Sequence, residues 1–314
     1  MNYLDQNQLK HLGLKKIGEN VKISSMAELL TPEQIEIGDN SIIEDYCHLN
    51  GSITLGKDVI IQRFTKITGV TGAAKSVLLG DNIFIGEYCQ FIINELTIGD
   101  YSKIQHHSNI HGYKKCSIGY NAWIGQYTII DSIGGTEIGN NVGIGAHSQL
   151  WSHIKYGDTL EGCRFNSHSP LKIGNDVWFV GHCIVSPVNI EDKAMVLVGS
   201  TVTKNLSKNQ IYAGSPALSI SDKIGGQFAN VSTDEKFLKL QKYLEESIGD
   251  TDKIRIVKSK HEIDINKGIT YFNVADRKYL KQYTEEEIRF MKFLLPEKAK
   301  FIPYELTELK NDSI

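Results

Sequence analysis

Proline and tryptophan are scarce in this chain of 314 residues, and charge of neither sign is in excess. Against 37 Asp and Glu there are 34 Lys and Arg, a formal net charge of −3 that disfavours a nucleic-acid binder or an anionic-membrane binder. No stretch approaches about 18 uncharged apolar residues, so we expect no membrane insertion. Residues 1–16 lack an apolar core followed by a small-residue cleavage site, so we expect a cytoplasmic protein.

Cysteine is also sparse. The chain has five, an odd number, and they are widely scattered. This pattern favours reduced thiols in a reducing compartment over a disulfide framework. The five are Cys47, Cys89, Cys116, Cys163 and Cys183.

Glycine, by contrast, is abundant, with 28 residues, and many of the glycines directly follow an aliphatic residue. Such pairs recur six residues apart, as at Gly80 and Gly86. They also recur at about three times six, and the steps from Gly99 to Gly119 and from Gly119 to Gly139 are 20 residues each. A short period nested in a longer one indicates an internal structural repeat.

The repeat predicts a parallel β-helix. Each hexad forms a short strand and a corner, and three hexads complete one triangular coil. The aliphatic residue points inward, while Gly, Asn and Asp tolerate the unusual backbone angles of a corner. One coil cannot bury its own face, so stability comes from stacking. The β-branched residues and glycines break any 3.6-residue period, which disfavours helix.

The repeat also divides the chain. We expect an N-terminal cap at 1–16 and a β-helix domain at 17–231, interrupted by a long polar loop at 154–170. Gly139 and Gly174 are 35 residues apart, one coil plus the inserted loop. A long loop that leaves a rigid solenoid is usually functional.

The repeat is lost in residues 232–314, for which we expect a small α+β domain. Apolar spacing predicts a helix at 233–248, and Thr284 followed by three Glu predicts another at 284–294. Three segments are predicted as strands, namely 253–258, 261–265 and 269–274.

The second half of the β-helix carries a family resemblance. The segments SQLWSHIKYGD, SHSPLKIGNDVWFVGHCIVSP, VLVGSTVTKN and IYAGSPA lie within 148–217. They resemble the hexapeptide-repeat acyltransferases, in the branch of serine, galactoside, maltose and capsular-polysaccharide O-acetyltransferases. The resemblance covers about 30–217. It implies a mainly β fold with a left-handed parallel β-helix, a homotrimer, and acetyl-CoA bound in the cleft between neighbouring prisms.

The resemblance assigns the catalytic roles to His153 and Gly181. A His at the end of a coil, just before the extra loop, is the family's general base, and His153 occupies that place. A neutral imidazole can take the proton of a hydroxyl as it attacks a thioester. Gly181 matches the position whose backbone N–H faces the thioester oxygen, where a fixed donor stabilises the developing oxyanion.

Further positions match the family's contacts to acetyl-CoA. Trp178 lies where the family places an aromatic near the thioester. The other cofactor-binding candidates are Gly199, Ser200, Thr203, Lys204, Ala213, Gly214, Ser215 and Pro216. Lys204 is a candidate partner for a CoA phosphate. The first basic residue after this stretch is Lys223, later than in many relatives.

The acceptor candidates lie before and within the inserted loop. Asp131 lies one coil before His153, where relatives carry a carboxylate or amide that holds acceptor hydroxyls or steers the histidine. In the loop, Tyr156, Asp158 and Arg164 are candidate acceptor contacts.

A metal site is the main alternative chemistry. Hexapeptide coils also form zinc hydratases resembling γ-class carbonic anhydrase, in which a lone His precedes an H-x4-H pair. Here His106 and His111 have that spacing, but His147 follows them, in the reverse order. We therefore expect no metal, and an outward face or subunit seam for His106 and His111. A nucleophilic cysteine is also not expected.

The sequence thus predicts an enzyme that moves acetyl from acetyl-CoA to a hydroxyl of a sugar or glycan precursor of a cell-surface polysaccharide. An N-acetyltransferase acting on a nucleotide-linked amino sugar is the second prediction. A metal-dependent hydratase or a non-catalytic scaffold on the same solenoid comes third.

Overall fold

A computed structural model of the chain describes residues 2–310. Met1 and residues 311–314, the outer ends of the predicted cap and C-terminal domain, lie outside the described part. The chain divides into two compact units between Phe228 and Ala229, whereas the sequence predicts the boundary after residue 231.

The first unit is a stack of coils with three sheets as its faces. In the described part of the chain, these sheets have nine, eleven and nine strands. Neighbouring strands of a sheet come from successive coils and pair in parallel, except for an antiparallel hairpin that ends the second sheet.

The strands of the first sheet are Lys16–Ile17, Ile35–Ile37, Gly51–Leu55, Ala74–Leu79, Glu95–Ile98, Cys116–Ile118, Thr136–Ile138, Leu171–Ile173 and Asn189–Ile190. Those of the second are Lys22–Ile23, Ile42–Ile43, Ile60–Ile61, Phe84–Ile85, Lys103–Ile104, Trp123–Ile124, Gly143–Ile144, Trp178–Phe179, Met195–Val196, Ile211–Ala213 and Leu218–Ser219. Those of the third are Glu28–Leu29, His48–Leu49, Lys66–Thr68, Gln90–Ile93, Asn109–Gly112, Ile129–Asp131, Gln149–Leu150, Ile184–Val185 and Thr201–Val202.

The inward aliphatic residues form continuous buried columns. In the first sheet, Ile98, Ile118 and Ile138 lie in register with one another, and all three are almost fully buried. The glycine that follows each of them allows the coils to approach closely. A Cβ on Gly139 would lie 2.7 Å from the carbonyl carbon of Gly174 in the next coil. The fold class predicted from the repeat is therefore confirmed, a mainly β protein with a parallel β-helix of hexapeptide repeats.

One corner of the β-helix carries a stack of seven exposed rings, which we call the aromatic ladder. Its residues all have positive φ, and neighbouring rings are 4.7 to 5.0 Å apart. Stacking between coils offsets the left-handed backbone strain of these non-glycine residues. The ladder consists of Tyr46, Phe64, Tyr88, His107, Tyr127, His147 and His182.

Three helical segments accompany the β-helix. The cap helix is Gln6–His11, with a capping box between Asp5 and Gln8. A 3₁₀ turn at Pro32–Gln34 and a short helix at Ser221–Ile224 are the others.

The inserted loop leaves the coils undisturbed. It forms an antiparallel hairpin of Ile154–Lys155 with Asn166–Ser167. The strand pairing continues across the insertion, since Gln149–Leu150 before the loop pairs with Ile184–Val185 after it. The inserted residues therefore form a separate hairpin outside the stacked coils.

The second unit is an α+β arrangement, as predicted. Its mixed sheet has the order Ile254–Val257, Thr270–Asn273, Lys278–Tyr279 and Ile302–Pro303. Its α-helices are Thr233–Ser247, Glu285–Leu294 and Leu306–Lys310. Ser232 and Thr284 are the N-caps of the first two, close to the predicted starts.

The strand predicted at 261–265 is wrong. Residues Lys260–Glu262 form a 3₁₀ turn instead, because Ser259 and Glu262 make a reciprocal capping box that closes the chain on itself. Across the part of the chain that the structure describes, no helix combines the length and the apolar character needed to cross a membrane.

Candidate active site

Asp131 and His153 meet near the C-terminal ends of two neighbouring strands inside the third sheet. Asp131 ends the strand Ile129–Asp131, and His153 follows the strand Gln149–Leu150, which pairs with it in parallel. Nδ1 of His153 lies 2.9 Å from Oδ1 of Asp131. Asp131 is fully buried, and the His153 side chain is 18% exposed. Since an ionised carboxylate only accepts, Nδ1 carries the proton, which leaves Nε2 as the basic nitrogen of a neutral ring.

Ser152 holds the same carboxylate oxygen. Its backbone N–H and its hydroxyl donate to Oδ1 of Asp131, at 3.0 and 2.6 Å. The hydroxyl oxygen in turn accepts the backbone N–H of Gly134 at 2.9 Å. Gly134 is closely packed here, since a Cβ on it would lie 2.0 Å from the Ser152 carbonyl oxygen. A buried chain of hydrogen bonds therefore fixes the orientation of Asp131.

A second imidazole approaches the other carboxylate oxygen. Nε2 of His111 lies 3.2 Å from Oδ2 of Asp131, and its ring is one-third exposed. The approach lacks hydrogen-bond alignment, and Oδ2 has no aligned donor within the described residues. His111 lies directly opposite Asp131 in the parallel pairing of their strands.

Asp131 is held in its charged form. Burial by itself raises the pKa of the carboxyl group. The contacts from His111, Ser152 and His153 outweigh that effect, so that the pKa of Asp131 lies well below its ordinary value. The site therefore holds a buried anion beside two imidazoles.

Gly181 lies at a corner of the coil, with φ of +145°. Its carbonyl oxygen accepts the N–H of Gly199 at 3.0 Å. Among the described residues, none accepts a hydrogen bond from the Gly181 amide. A free backbone donor is what an oxyanion requires.

The other glycine-rich segments continue from Gly181. Gly199 bonds to it, and the buried Ser200 hydroxyl accepts the N–H of Gly214 at 3.1 Å. The Ser215 hydroxyl donates to Oγ1 of Thr201 at 3.0 Å. The structure thus brings the VGST and AGSP segments together in the last coils. Within them Ala213 is half-buried, and Gly214, Ser215 and Pro216 are exposed.

Three other predicted donor contacts are exposed at the surface. Thr203 and Lys204 are exposed beyond the last strand of the third sheet. Trp178 lies on the second sheet, is 46% exposed, and packs its ring over Gly143. A single chain therefore places Trp178 and Asp131 on different faces of the prism.

The loop candidates are all exposed. Tyr156 is fully exposed and Arg164 is exposed as well. Asp158 accepts the N–H of Leu160 at 2.8 Å, so its carboxylate also shapes the loop turn.

The histidines weighed for a metal site have separate surroundings. Nδ1 of His106 accepts the N–H of Glu87 at 2.9 Å, and His147 belongs to the aromatic ladder. Within residues 2–310 there is no group of three or more His, Cys, Asp or Glu side chains that could hold a metal ion. The five cysteines are free, and Cys183 is buried.

Sequence reasoning missed three members of the site, namely His111, Ser152 and Gly134. A signal for His111 was available, because His111 and Asp131 are 20 residues apart, the same step as the neighbouring glycines. Residues one coil apart lie side by side. The sequence offered no comparable signal for Ser152, whose role depends on the local turn.

No protein-family model matches the sequence. The bifunctional protein GlmU of Marinobacter nauticus is 30% identical over 211 residues, covering 59% of this chain and 42% of the relative. The dTDP-4-amino-4,6-dideoxy-D-glucose acyltransferase of Escherichia coli is 40% identical over 72 residues, covering 22% of this chain and 38% of the relative.

Among solved structures, the UDP-N-acetylglucosamine acyltransferase of Campylobacter jejuni has a TM-score of 0.47 and 16% identity, covering 90% of this chain and 100% of that one. The chain spans about two fifths of the length of the curated relatives that it matches. The chain is similar to these proteins over part of its length.

Proposed function

We propose that the protein is an acyltransferase that moves acetyl from acetyl-CoA to a hydroxyl of a sugar or glycan precursor, with His153 as general base. The observation that carries the proposal is the pair of His153 and the buried, ionised Asp131. Asp131 holds the proton on Nδ1, so Nε2 is the nitrogen that accepts a proton.

The reaction is a direct transfer. As the acceptor oxygen attacks the thioester carbonyl carbon, its proton passes to Nε2 of His153. The carbonyl electron pair moves onto oxygen, where the free Gly181 amide donates a hydrogen bond, a type of contact worth about 3 kcal/mol. The C–O double bond re-forms, the C–S bond breaks, and the CoA thiolate takes the proton from the imidazolium. Asp131 stabilises that imidazolium while it exists.

The acyl donor fits the last coils. The segments around Gly181, Gly199 and Gly214 form one connected strip that ends in exposed backbone. Exposed glycine backbone permits close approach of an extended pantetheine arm. Trp178, Thr203, Lys204 and the residues Ala213, Ser215 and Pro216 remain proposed donor contacts. Tyr156, Asp158 and Arg164 remain proposed acceptor contacts.

A homotrimer forms part of the proposal. Trp178 and His153 lie on different sides of one prism, so a site that uses both needs two subunits. The resemblance implies this arrangement, with acetyl-CoA between neighbouring prisms. Sedimentation of the full chain tests it, and a monomer would contradict it.

The main test is thiol release from acetyl-CoA with a panel of sugars and nucleotide sugars. We expect His153→Ala to lower kcat by about 100-fold or more. His48→Ala is the matched control, since His48 also faces a carboxylate, Glu28, at 3.1 Å on the same sheet. Full turnover by His153→Ala would overturn the proposed base.

N-acylation of a nucleotide-linked amino sugar is the second candidate. The E. coli relative that is 40% identical over 72 residues is named for an acceptor that carries an amine. Hydroxylamine releases acetyl from an ester and leaves an amide intact. A product that resists hydroxylamine would replace O-acetylation with N-acetylation.

A further inference from the structure

Two imidazoles share one buried carboxylate. His153 faces Oδ1 of Asp131 at 2.9 Å, and His111 faces Oδ2 at 3.2 Å. The proposed function uses only the first of these contacts. The second is built by the parallel register that places His111 opposite Asp131.

The His111 ring is held in place from its other side. Its Nδ1 lies 2.9 Å from Oδ1 of Asn109, two residues earlier on the same strand. With Asn109 at one ring nitrogen and Asp131 at the other, the imidazole has a fixed orientation. The side chain is 32% exposed, against 18% for that of His153.

The two carboxylate oxygens of Asp131 have different numbers of contacts. Oδ1 accepts from the Ser152 backbone, the Ser152 hydroxyl and His153. Oδ2 has the His111 contact alone among the described residues. Positive charge or an N–H dipole at Oδ2 draws carboxylate charge away from Oδ1. His111 therefore lies where it changes how strongly Asp131 favours a protonated His153.

We propose that His111 is a positioning residue that sets the proton affinity of His153 through their shared carboxylate, Asp131. The proposal rests on the proposed function, in which His153 acts as the base. Its chemical consequence is that His153 stays neutral, and able to accept a proton, to a lower pH than Asp131 alone would allow.

The other side chains that contact the cluster are uncharged, and they include Trp151, whose ring lies edge-on to that of His153 with centroids 6.0 Å apart. Burial together with the Asp131 charge raises the pKa of the Cys116 thiol to about 12. On the other side of His111, the strand Gln90–Ile93 places Ile92 opposite it. Ser152 carries no charge. The charge balance at the cluster is therefore set by His111, Asp131 and His153.

The test compares three variants with the wild type in the full chain. His111→Phe removes the polar contact with Oδ2 of Asp131. His111→Asn keeps a polar side chain that is too short to reach that oxygen. His111→Gln retains a donor at the position of Nε2. His48→Phe on the same sheet is the matched control. The first readout is the titration midpoint of the His153 ring by NMR, without any substrate.

We expect the His153 midpoint to rise by about half to one pH unit in His111→Phe and His111→Asn. In His111→Gln and His48→Phe it stays near the wild-type value. The second readout is the dependence of kcat/KM on pH. We expect the midpoint on the acidic side of this profile to move to higher pH by the same amount. At pH 6 we expect a loss of about 3- to 10-fold in the two shifted variants.

The two readouts separate the inference from the function. An unchanged midpoint in folded His111→Asn overturns the role of His111, even when acyl transfer is observed. A shifted midpoint in a protein that transfers no acyl group from acetyl-CoA supports the coupling and contradicts the proposed function. His111→Asn decides the matter if His111→Phe fails to fold.

Discussion

The Ser152 hydroxyl donates to Oδ1 of Asp131 at 2.6 Å, the same oxygen that faces His153. It also accepts the N–H of Gly134 from the coil below. Ser152 therefore links the backbone of one coil to the carboxylate of the site, and it immediately precedes the proposed base.

Ser152→Ala is expected to affect both stability and turnover. The buried Gly134 N–H loses its acceptor, which costs about 1–2 kcal/mol in the free energy of unfolding. Asp131 loses one of the donors that orient it, so we expect kcat to fall several-fold with the KM for acetyl-CoA unchanged. Urea unfolding and steady-state kinetics measure the two effects.

Ser148→Ala is the matched control for that prediction. Ser148 is equally buried and its hydroxyl donates to the Gly145 carbonyl at 2.8 Å, but it does not contact Asp131. We expect a similar loss of stability and an unchanged kcat. Equal kcat losses in the two variants would mean that Ser152 acts only through general packing.

Asp131→Asn tests the buried charge directly. Because the pKa of Asp131 is lowered in the folded state, its contribution to stability is present above the unfolded value of about 3.9 and is lost as pH falls below it. The variant should therefore be less stable than the wild type at pH 7, and the difference should shrink toward pH 3.

The same variant should lose turnover. An amide cannot stabilise an imidazolium as a carboxylate does, so we expect kcat to fall by about 100-fold at pH 7. Unfolding at both pH values and kinetics at saturating acetyl-CoA measure this. A stability difference that does not vary with pH would contradict the assignment of Asp131 as the ionised group.

The sequence predicted the β-helix because its information is periodic. Each Ile–Gly pair repeats the same local geometry, so the stacking of Ile98, Ile118 and Ile138 could be deduced without any structure. The sequence also predicts His153 and Asp131 as candidate site residues, and the structure places them in contact. The pairing of His111 with Asp131 is missing from the sequence-based prediction. Finding it requires that the 20-residue coil step of the aliphatic and glycine positions is applied to polar residues as well.

Local capping explains the failures elsewhere. The segment 261–265 has the alternation of a strand, but the Ser259 and Glu262 capping box favours a turn. A side chain that bonds to its own backbone overrides a weak alternation pattern. The helices at Thr233–Ser247 and Glu285–Leu294 were predicted well because there the capping residues and the apolar spacing agree.

The aromatic ladder should contribute measurably to stability. Tyr127 lies between His107 and His147, with ring centroids at 4.7 and 5.0 Å, and has φ of +57°. Tyr127→Ala removes two stacking contacts and keeps the backbone strain, so we expect a loss of about 1–2 kcal/mol in the free energy of unfolding. Urea unfolding measures this loss.

Tyr127→Asn is the control, since Asn tolerates the left-handed conformation better than Ala does. It should lose less stability than Tyr127→Ala. Wild-type stability in both variants would show that the stacked rings contribute nothing.

Glu287 provides the last prediction, in the C-terminal unit. Its side chain is fully buried, Oε2 accepts from the Thr270 hydroxyl and the Gln282 N–H, and Oε1 has no partner among the described residues. Burial raises the pKa of Glu287 against the effect of these hydrogen bonds. A raised folded-state pKa gives stability that is present below the unfolded value, about 4.3, and is lost as pH rises through the folded value.

Glu287→Gln keeps the accepting oxygen and removes the charge. We expect it to match the wild type near pH 4 and to be about 1 kcal/mol more stable near pH 8, where the wild type holds a buried carboxylate. Hydrogen exchange of the amides in Glu285–Leu294, measured in the full chain and corrected for intrinsic rates, follows this helix locally. Glu285→Gln, an exposed change of the same charge on the same helix, should leave the pH dependence unaltered. If Glu287→Gln and the wild type show parallel protection across this pH range, then Glu287 keeps its ordinary protonation in the folded state and burial does not govern it.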